Sequence, residues 1–150
     1  MSNIEFRKAA KNDIKLLIDL LFQYHKVHHV SSPDRGRLEK MLLELQNEPN
    51  HGQQFLALRD GKPIGFATFF FVFSTSFGEK VAILSDLFVE ESYRNQGIGE
   101  QLFKYCADYV KKHGYRHMDW VTLQNNFTAK KFFEKLGASL QPYLLYSLDF

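Results

Sequence analysis

An apolar run, Leu84-Ser85-Asp86-Leu87-Phe88-Val89, leads through Glu90-Glu91-Ser92-Tyr93 into Arg94-Asn95-Gln96-Gly97-Ile98-Gly99, and an amphipathic stretch follows. Strand, glycine turn and helix in that order constrain the fold more than any other feature of the chain. Gly97 and Gly99 remove the side chains that would block a close approach. The first helical turn leaves N–H groups without intrahelical acceptors and a partial positive charge behind them. The stretch therefore reads as a site for an anion the size of a pyrophosphate.

The spacing is Arg-x-x-Gly-x-Gly, and it departs from two other phosphate loops that place glycine at a helix start. A Walker loop needs Gly-Lys-Ser/Thr, whereas Gly99 is followed by Glu100 and Gln101. A dinucleotide fingerprint needs a third glycine three residues on, and position 102 is Leu.

The rest of the chain supplies the partners such a turn needs. Ile4 to Arg7 predicts a short strand, and Asn12 a cap for a helix with Ile14, Leu17, Ile18, Leu21 and Phe22 on one face. Ser32-Pro33 predicts the start of a second helix, with Leu38, Met41, Leu42 and Leu45 inward and an end near Pro49. Asp60-Gly61 joins Gln53–Arg59 to Lys62–Ser74 as a hairpin, and Lys80–Val89 is the next strand. The helix after the glycine loop runs from Gly97 to His113, with Ile98, Leu102, Phe103, Ala107 and Val110 in a stripe and Gly114 beyond its end. Met118 to Leu123 reads as a strand, Asn126 as the cap of a helix that closes at Gly137, and Ala138 to Asp149 as closing strands. The sum is an α/β chain whose mostly antiparallel sheet turns parallel at the strand-helix-strand unit around the loop.

One domain over residues 1–150 is expected from the length and the lack of a Pro/Gly/Ser-rich linker. A formal net charge of +2 is too small to imply nucleic acid, and no basic stripe with interleaved aromatics does so locally. The apolar run Phe69 to Phe73 is too short to span a membrane, and Met1-Ser2-Asn3-Ile4-Glu5 lacks the pattern of a secretory leader, so a cytoplasmic location is expected. The single cysteine, Cys106, falls on the inner face of the helix after the loop and fits a reducing compartment. His25 and His29 are spaced i, i+4, but no Cys or carboxylate joins them, so no metal is expected.

With the Arg94 to Gly99 motif after its fourth strand and Asn126-x-x-Ala129-x-x-Phe132-Phe133-Glu134-Lys135-Leu136-Gly137-Ala138 near its end, the chain resembles the GNAT acetyltransferase superfamily over nearly its whole length. Leu84 to Val89 and the Phe-Phe-Glu-Lys-Leu-Gly-Ala block look most like the spermidine/spermine and thialysine N-acetyltransferases. The resemblance implies acetyl-CoA lying where the fourth and fifth strands splay apart. Main-chain groups of Leu87, Phe88 and Val89 would bond the pantetheine arm, and Gln96, Gly97, Ile98, Gly99 and Glu100 the pyrophosphate, with Arg94 and Asn95 at the loop entrance. Asn126, Ala129 and Phe133 would line the coenzyme's path, and Lys130, Lys131 or Lys135 would meet the adenosine phosphate. It also implies a primary-amine acceptor and a homodimer paired through the late strands around Tyr143, Leu144, Leu145 and Tyr146.

Acetylating an amine with a pKa near ~10.4 requires removing a proton, at a cost of roughly 4 to 5 kcal/mol at neutral pH. Relatives of the spermidine/spermine type carry a Glu and a Tyr for proton transfer; this chain has Ser85 and Phe133 at those positions. Asp86 is a candidate base, Ser85 a candidate positioner of water, and strand alternation predicts that the two point to opposite faces. His28 and His29 border the expected acceptor site, and Tyr24 and Trp120 are candidate pocket walls. A coenzyme-binding module that has lost its acid and base is the alternative.

Overall fold

In the computed structural model, which describes residues 3–150, a single five-stranded sheet runs in the order β1-β2-β3-β4-β5. Met1 and Ser2, part of the segment read for a leader, lie outside the described residues. The strands are β1 (Ile4–Lys8), β2 (Gly52–Arg59), β3 (Lys62–Ser74), β4 (Glu79–Val89) and β5 (Met118–Trp120). The first four pair antiparallel, and β5 lies parallel to β4.

Alternation along the strands sends apolar side chains to both faces, and each face has its own cover. Helices α1 (Ile14–Val27) and α2 (Arg35–Asn47) bring Leu17, Ile18, Leu21, Leu38 and Leu42 onto Leu56, Leu58, Phe66 and Phe88. Helix α3 (Ile98–Lys112) packs Leu102, Phe103, Cys106 and Val110 against Phe55, Ala57, Phe69, Ala82 and Leu84. Phe132 of α4 (Phe127–Lys135) joins that second cluster. The crossover through the single helix α3 brings the chain back to start β5 beside β4 in the same direction, which makes the β4–β5 pair parallel, whereas the two-helix return through α1 and α2 leaves β1 and β2 antiparallel.

Five sequence expectations change. Asn12 lies in a single 3-10 turn, Lys11–Asp13, where the Asp13 carboxylate accepts from the Arg7 guanidinium at 2.7 and 3.0 Å and from the Ala10 N–H at 2.7 Å. A charge-assisted fork outcompetes the Asn side chain for that corner. Asp34, not Ser32, caps α2, its carboxylate accepting from the Arg37 N–H at 3.1 Å, and Met41 faces solvent. β5 ends at Trp120 rather than Leu123. Residues 138–150 form neither strand nor helix: a strand needs an edge to pair with, and this segment meets none within its own chain. Its apolar side chains stand in solvent, Tyr143 82% and Tyr146 84% exposed.

Candidate active site at the parting of two strands

β5 follows β4 only from Ala82–Met118 to Leu84–Trp120, so Ser85 through Val89 continue with no β5 partner. The gap between the strands opens there, and it leads to the glycine loop at the end of β4. A β-bulge falls at the same place. Thr68 of β3 pairs with Asp86 and Phe69 with Leu84, which leaves Ser85 as the extra residue.

The bulge corrects the alternation argument. Ser85 and Asp86 do not point to opposite faces; the Ser85 hydroxyl lies 3.5 Å from Asp86 Oδ1, at the limit of a hydrogen bond. Asp86 turns to the α1 face, where the Tyr24 phenol, the Thr68 hydroxyl and His25 are near enough to its carboxyl to favour its charged form. Burial pushes Asp86 above the usual carboxylate range, and those partners pull it partway back. The Tyr24 phenol, desolvated and facing Asp86, is pushed up to about 12, so it stays protonated and donates. Asp13 has the opposite environment: the Arg7 fork holds it below the usual range.

The expected acceptor-side residues divide. The Tyr24 ring packs edge-on against Phe66 and Phe88 at 5.8 and 6.0 Å, and His28 leans on it at 4.4 Å. His29 takes a left-handed φ of 55° at the end of α1, where Val30 N–H bonds the His25 carbonyl, so its place is that of a helix terminator. His25, not singled out as a base from sequence, is the histidine near enough to Asp86 to favour its charged form, and its Nδ1 is 3.0 Å from Ser32 Oγ. Trp120 and Phe133 meet at 5.1 Å, both against Phe103, and build the aromatic wall beside the gap.

The loop has the geometry its sequence predicts. Gly97 sits at φ +77° as the residue before α3, and a Cβ there would meet only Gln101 Nε2 at 3.9 Å. The first backbone bond of the helix runs from Gln101 N–H to the Gly97 carbonyl, so the N–H groups of Ile98, Gly99 and Glu100 are left for an outside acceptor. Asn95 is also left-handed, at 63°. Arg94 bends back, its Nε donating to the Val89 carbonyl at 2.8 Å and its guanidinium resting over Phe88, which ties the loop to the end of β4. Sequence reading missed Arg59: from β2 it donates to Gln96 Oε1 at 2.8 Å and stacks on Tyr93.

Open space at a left-handed glycine and unclaimed N–H groups at a helix start fit a diphosphate, and the free edge of Leu87 to Val89 fits an amide-bearing arm. In α4, Asn126 Oδ1 accepts from the Ala129 N–H at 3.2 Å, which leaves its amide N–H groups for a ligand, while Lys135 is exposed in the last turn. Cys106 is buried in the α3 core and its thiol is pushed up to about 12 by burial, so it is no nucleophile. Among the described residues, no cluster of three or more His, Cys, Asp or Glu is arranged to hold a metal ion, and no helix is long and apolar enough to cross a membrane.

Residues 16–138 match the model of the Acetyltransferase (GNAT) family. An L-ornithine N5-acetyltransferase of Arabidopsis thaliana is 30% identical over 116 residues, 75% of this chain and 51% of that protein, so the match spans about half of the relative. A thialysine N-epsilon-acetyltransferase of Mus musculus is 26% identical over 145 residues, 89% of this chain and 81% of that one. An aminoglycoside N-acetyltransferase solved in complex with CoA superposes with a TM-score of 0.79 at 22% identity, covering 99% of this chain and 96% of the other, a likeness of fold.

Proposed function

The chain belongs to the acetyltransferase (GNAT) family, whose members use acetyl-CoA, and from that premise we propose that it moves an acetyl group to the primary amine of a small amino-acid-like acceptor by direct attack. The observation that carries this reading is the Asp86 carboxyl, half-buried at the bulge where β4 and β5 part.

Acetyl-CoA supplies an acyl group activated as a thioester. The N–H groups of Gln96 to Glu100 hold its diphosphate, the edge of Leu87 to Val89 its pantetheine arm, and Asn126, Ala129, Phe133 and Lys135 the rest of its path. Asp86, raised by burial toward the operating pH, accepts the proton that the ammonium must lose, and Ser85 orients the amine or an intervening water. Backbone N–H groups at the unpaired edge of β4 donate to the carbonyl oxygen as negative charge builds on it. No side-chain acid is needed for a leaving thiol with a pKa near ~8.5, which agrees with Phe133 at the family's tyrosine position.

The acceptor class follows from charge. Tyr24 to Val30 contains His25, Lys26, His28 and His29 and no carboxylate, a poor surface for a polycation and a good one for an acceptor that carries a carboxylate besides its amine. The two named relatives, an ornithine and a thialysine acetyltransferase, act on acceptors of that kind. The test is CoA release with a basic amino acid against the diamine of equal length that lacks the carboxylate. Higher kcat/KM for the amino acid supports the reading, preference for the diamine reverses the acceptor class, and tight acetyl-CoA binding with no turnover on any amine favours the non-catalytic module.

A homodimer forms the second part of the reading. Leu140, Tyr143 to Tyr146, Leu148 and Phe150 are all exposed, and an apolar arm of that density requires cover from another molecule. Sedimentation of the full chain at micromolar concentration tests it, a monomer overturning the assignment.

A further inference from the structure

Three polar side chains stand in one row across the sheet beneath α1. Gln54 of β2 pairs directly with Thr68 of β3, and Thr68 directly with Asp86 of β4. Gln54 and Thr68 are 5% and 2% exposed, whereas their neighbours on that face, Leu56, Phe66 and Phe88, are apolar core. Two buried polar residues in an apolar layer need a reason, because each must be hydrogen-bonded to be tolerated. Gln54 Nε2 lies 3.0 Å from Thr68 Oγ1, and its Oε1 has no protein partner.

The direction of this chain follows from proton counting. Thr68 is the direct cross-strand neighbour of Asp86, and an ionised carboxylate only accepts, so a hydrogen bond between them uses the single hydroxyl hydrogen of Thr68. The remaining Thr68 lone pairs then accept, which requires the NH₂ end of the Gln54 amide. The amide is held in that orientation although its oxygen is left without a partner.

We propose that Gln54 and Thr68 are positioning residues for the reaction: Gln54 fixes the Thr68 hydroxyl so that its hydrogen points to the Asp86 carboxylate, and this fixes which way the carboxylate is turned. The inference rests on the reading of Asp86 as the proton acceptor. The titratable groups facing that carboxyl are Tyr24 and His25, both from α1, and neither belongs to the row. Removing the Thr68 donor takes away a bond that favours the charged carboxylate, so Asp86 titrates at higher pH. The acid limb of kcat/KM then moves up with it, because the protonated form cannot take the amine's proton.

The experiment is 13C NMR titration of the Asp86 carboxyl, alongside the pH profile of kcat/KM, in the wild type, Thr68→Val, Thr68→Ser and Gln54→Met. The titration needs no turnover, so it separates this proposal from the assignment of the reaction. Thr68→Val should raise both midpoints by about one pH unit, the size one hydrogen bond to a charged group supports. Thr68→Ser should restore both, and Gln54→Met should move both in the same direction by less, which keeps the test open if Thr68→Val does not fold. An Asp86 titration unmoved in Thr68→Val or, should that variant be unfolded, in Gln54→Met overturns the positioning role. A titration that moves while the kcat/KM limb stays fixed overturns the link to catalysis, and the base is then another group.

Discussion

The two regions that carry the proposed function, the bulge within β4 and the loop beyond its end, are built from different material. At its end, the loop Arg94 to Gly99 offers backbone: a left-handed glycine and N–H groups at the start of α3. In its middle, the bulge at Ser85 offers side chains, with Asp86, Tyr24 and Thr68 drawn from β4, α1 and β3. A site made of backbone is specified by what its residues lack, and a few consecutive positions suffice. A site made of side chains depends on strand register and helix docking, so no local stretch of sequence contains it.

The largest expected effect comes from the loop. Gly97→Val places a β-branched residue at φ +77°, a strain of order 1–3 kcal/mol, and relief of that strain turns the N–H groups away from the diphosphate. Acetyl-CoA affinity by calorimetry should fall by ~10²-fold or more while the thermal melt stays cooperative and drops only by what the strain costs, because no packed neighbour is disturbed. Unchanged affinity in a folded Gly97→Val protein would break the comparison at its backbone end.

At the bulge, Asp86→Asn removes the proton acceptor that we propose and leaves the loop Arg94 to Gly99 intact. We expect kcat/KM to fall by roughly 10²-fold with acetyl-CoA binding within a few-fold of wild type. In the wild type, kcat/KM should rise with pH through the Asp86 titration, which burial places above that of an ordinary carboxylate. Asp13 supplies the internal contrast for stability. Its folded pKa is depressed, so its contribution is present above the unfolded value and is lost as pH falls through the folded one, the direction opposite to that of Asp86. Loss of coenzyme binding in Asp86→Asn would mean that the two regions are not separable.

The smallest effect tests the aromatic wall. Phe133→Tyr adds a hydroxyl where relatives carry one, within a cluster of Phe103, Trp120 and Phe132. A rise in turnover of up to ~10-fold is expected if thiolate departure limits the rate, with affinity for acetyl-CoA unchanged. A fall in affinity would make Phe133 purely a packing residue.

The same contrast explains how much could be read in advance. Helices α1 and α3, the Asp60-Gly61 hairpin and the glycine loop were legible, since periodicity and turn chemistry are local. The bulge was not, because it is a count of residues between two strands; alternation at Ser85 and Asp86 was a sound rule applied where the ladder slips. Thr68 and Gln54 read as ordinary polar positions of strands, and Arg59 as a solvated end, until register brought them beside Asp86 and Gln96. The closing strands failed for a related reason, as apolar residues announce a need for burial without naming the edge that meets it.

Trp120 is the chain's one tryptophan, and it occupies the last rung where β5 still holds β4, edge-on to Phe103 and Phe133. The indole therefore stands at the apex of the wedge that we propose as the coenzyme's path. Its emission belongs to that spot alone, so the protein carries an optical gauge of its own occupancy, readable without a label and before any chemistry takes place.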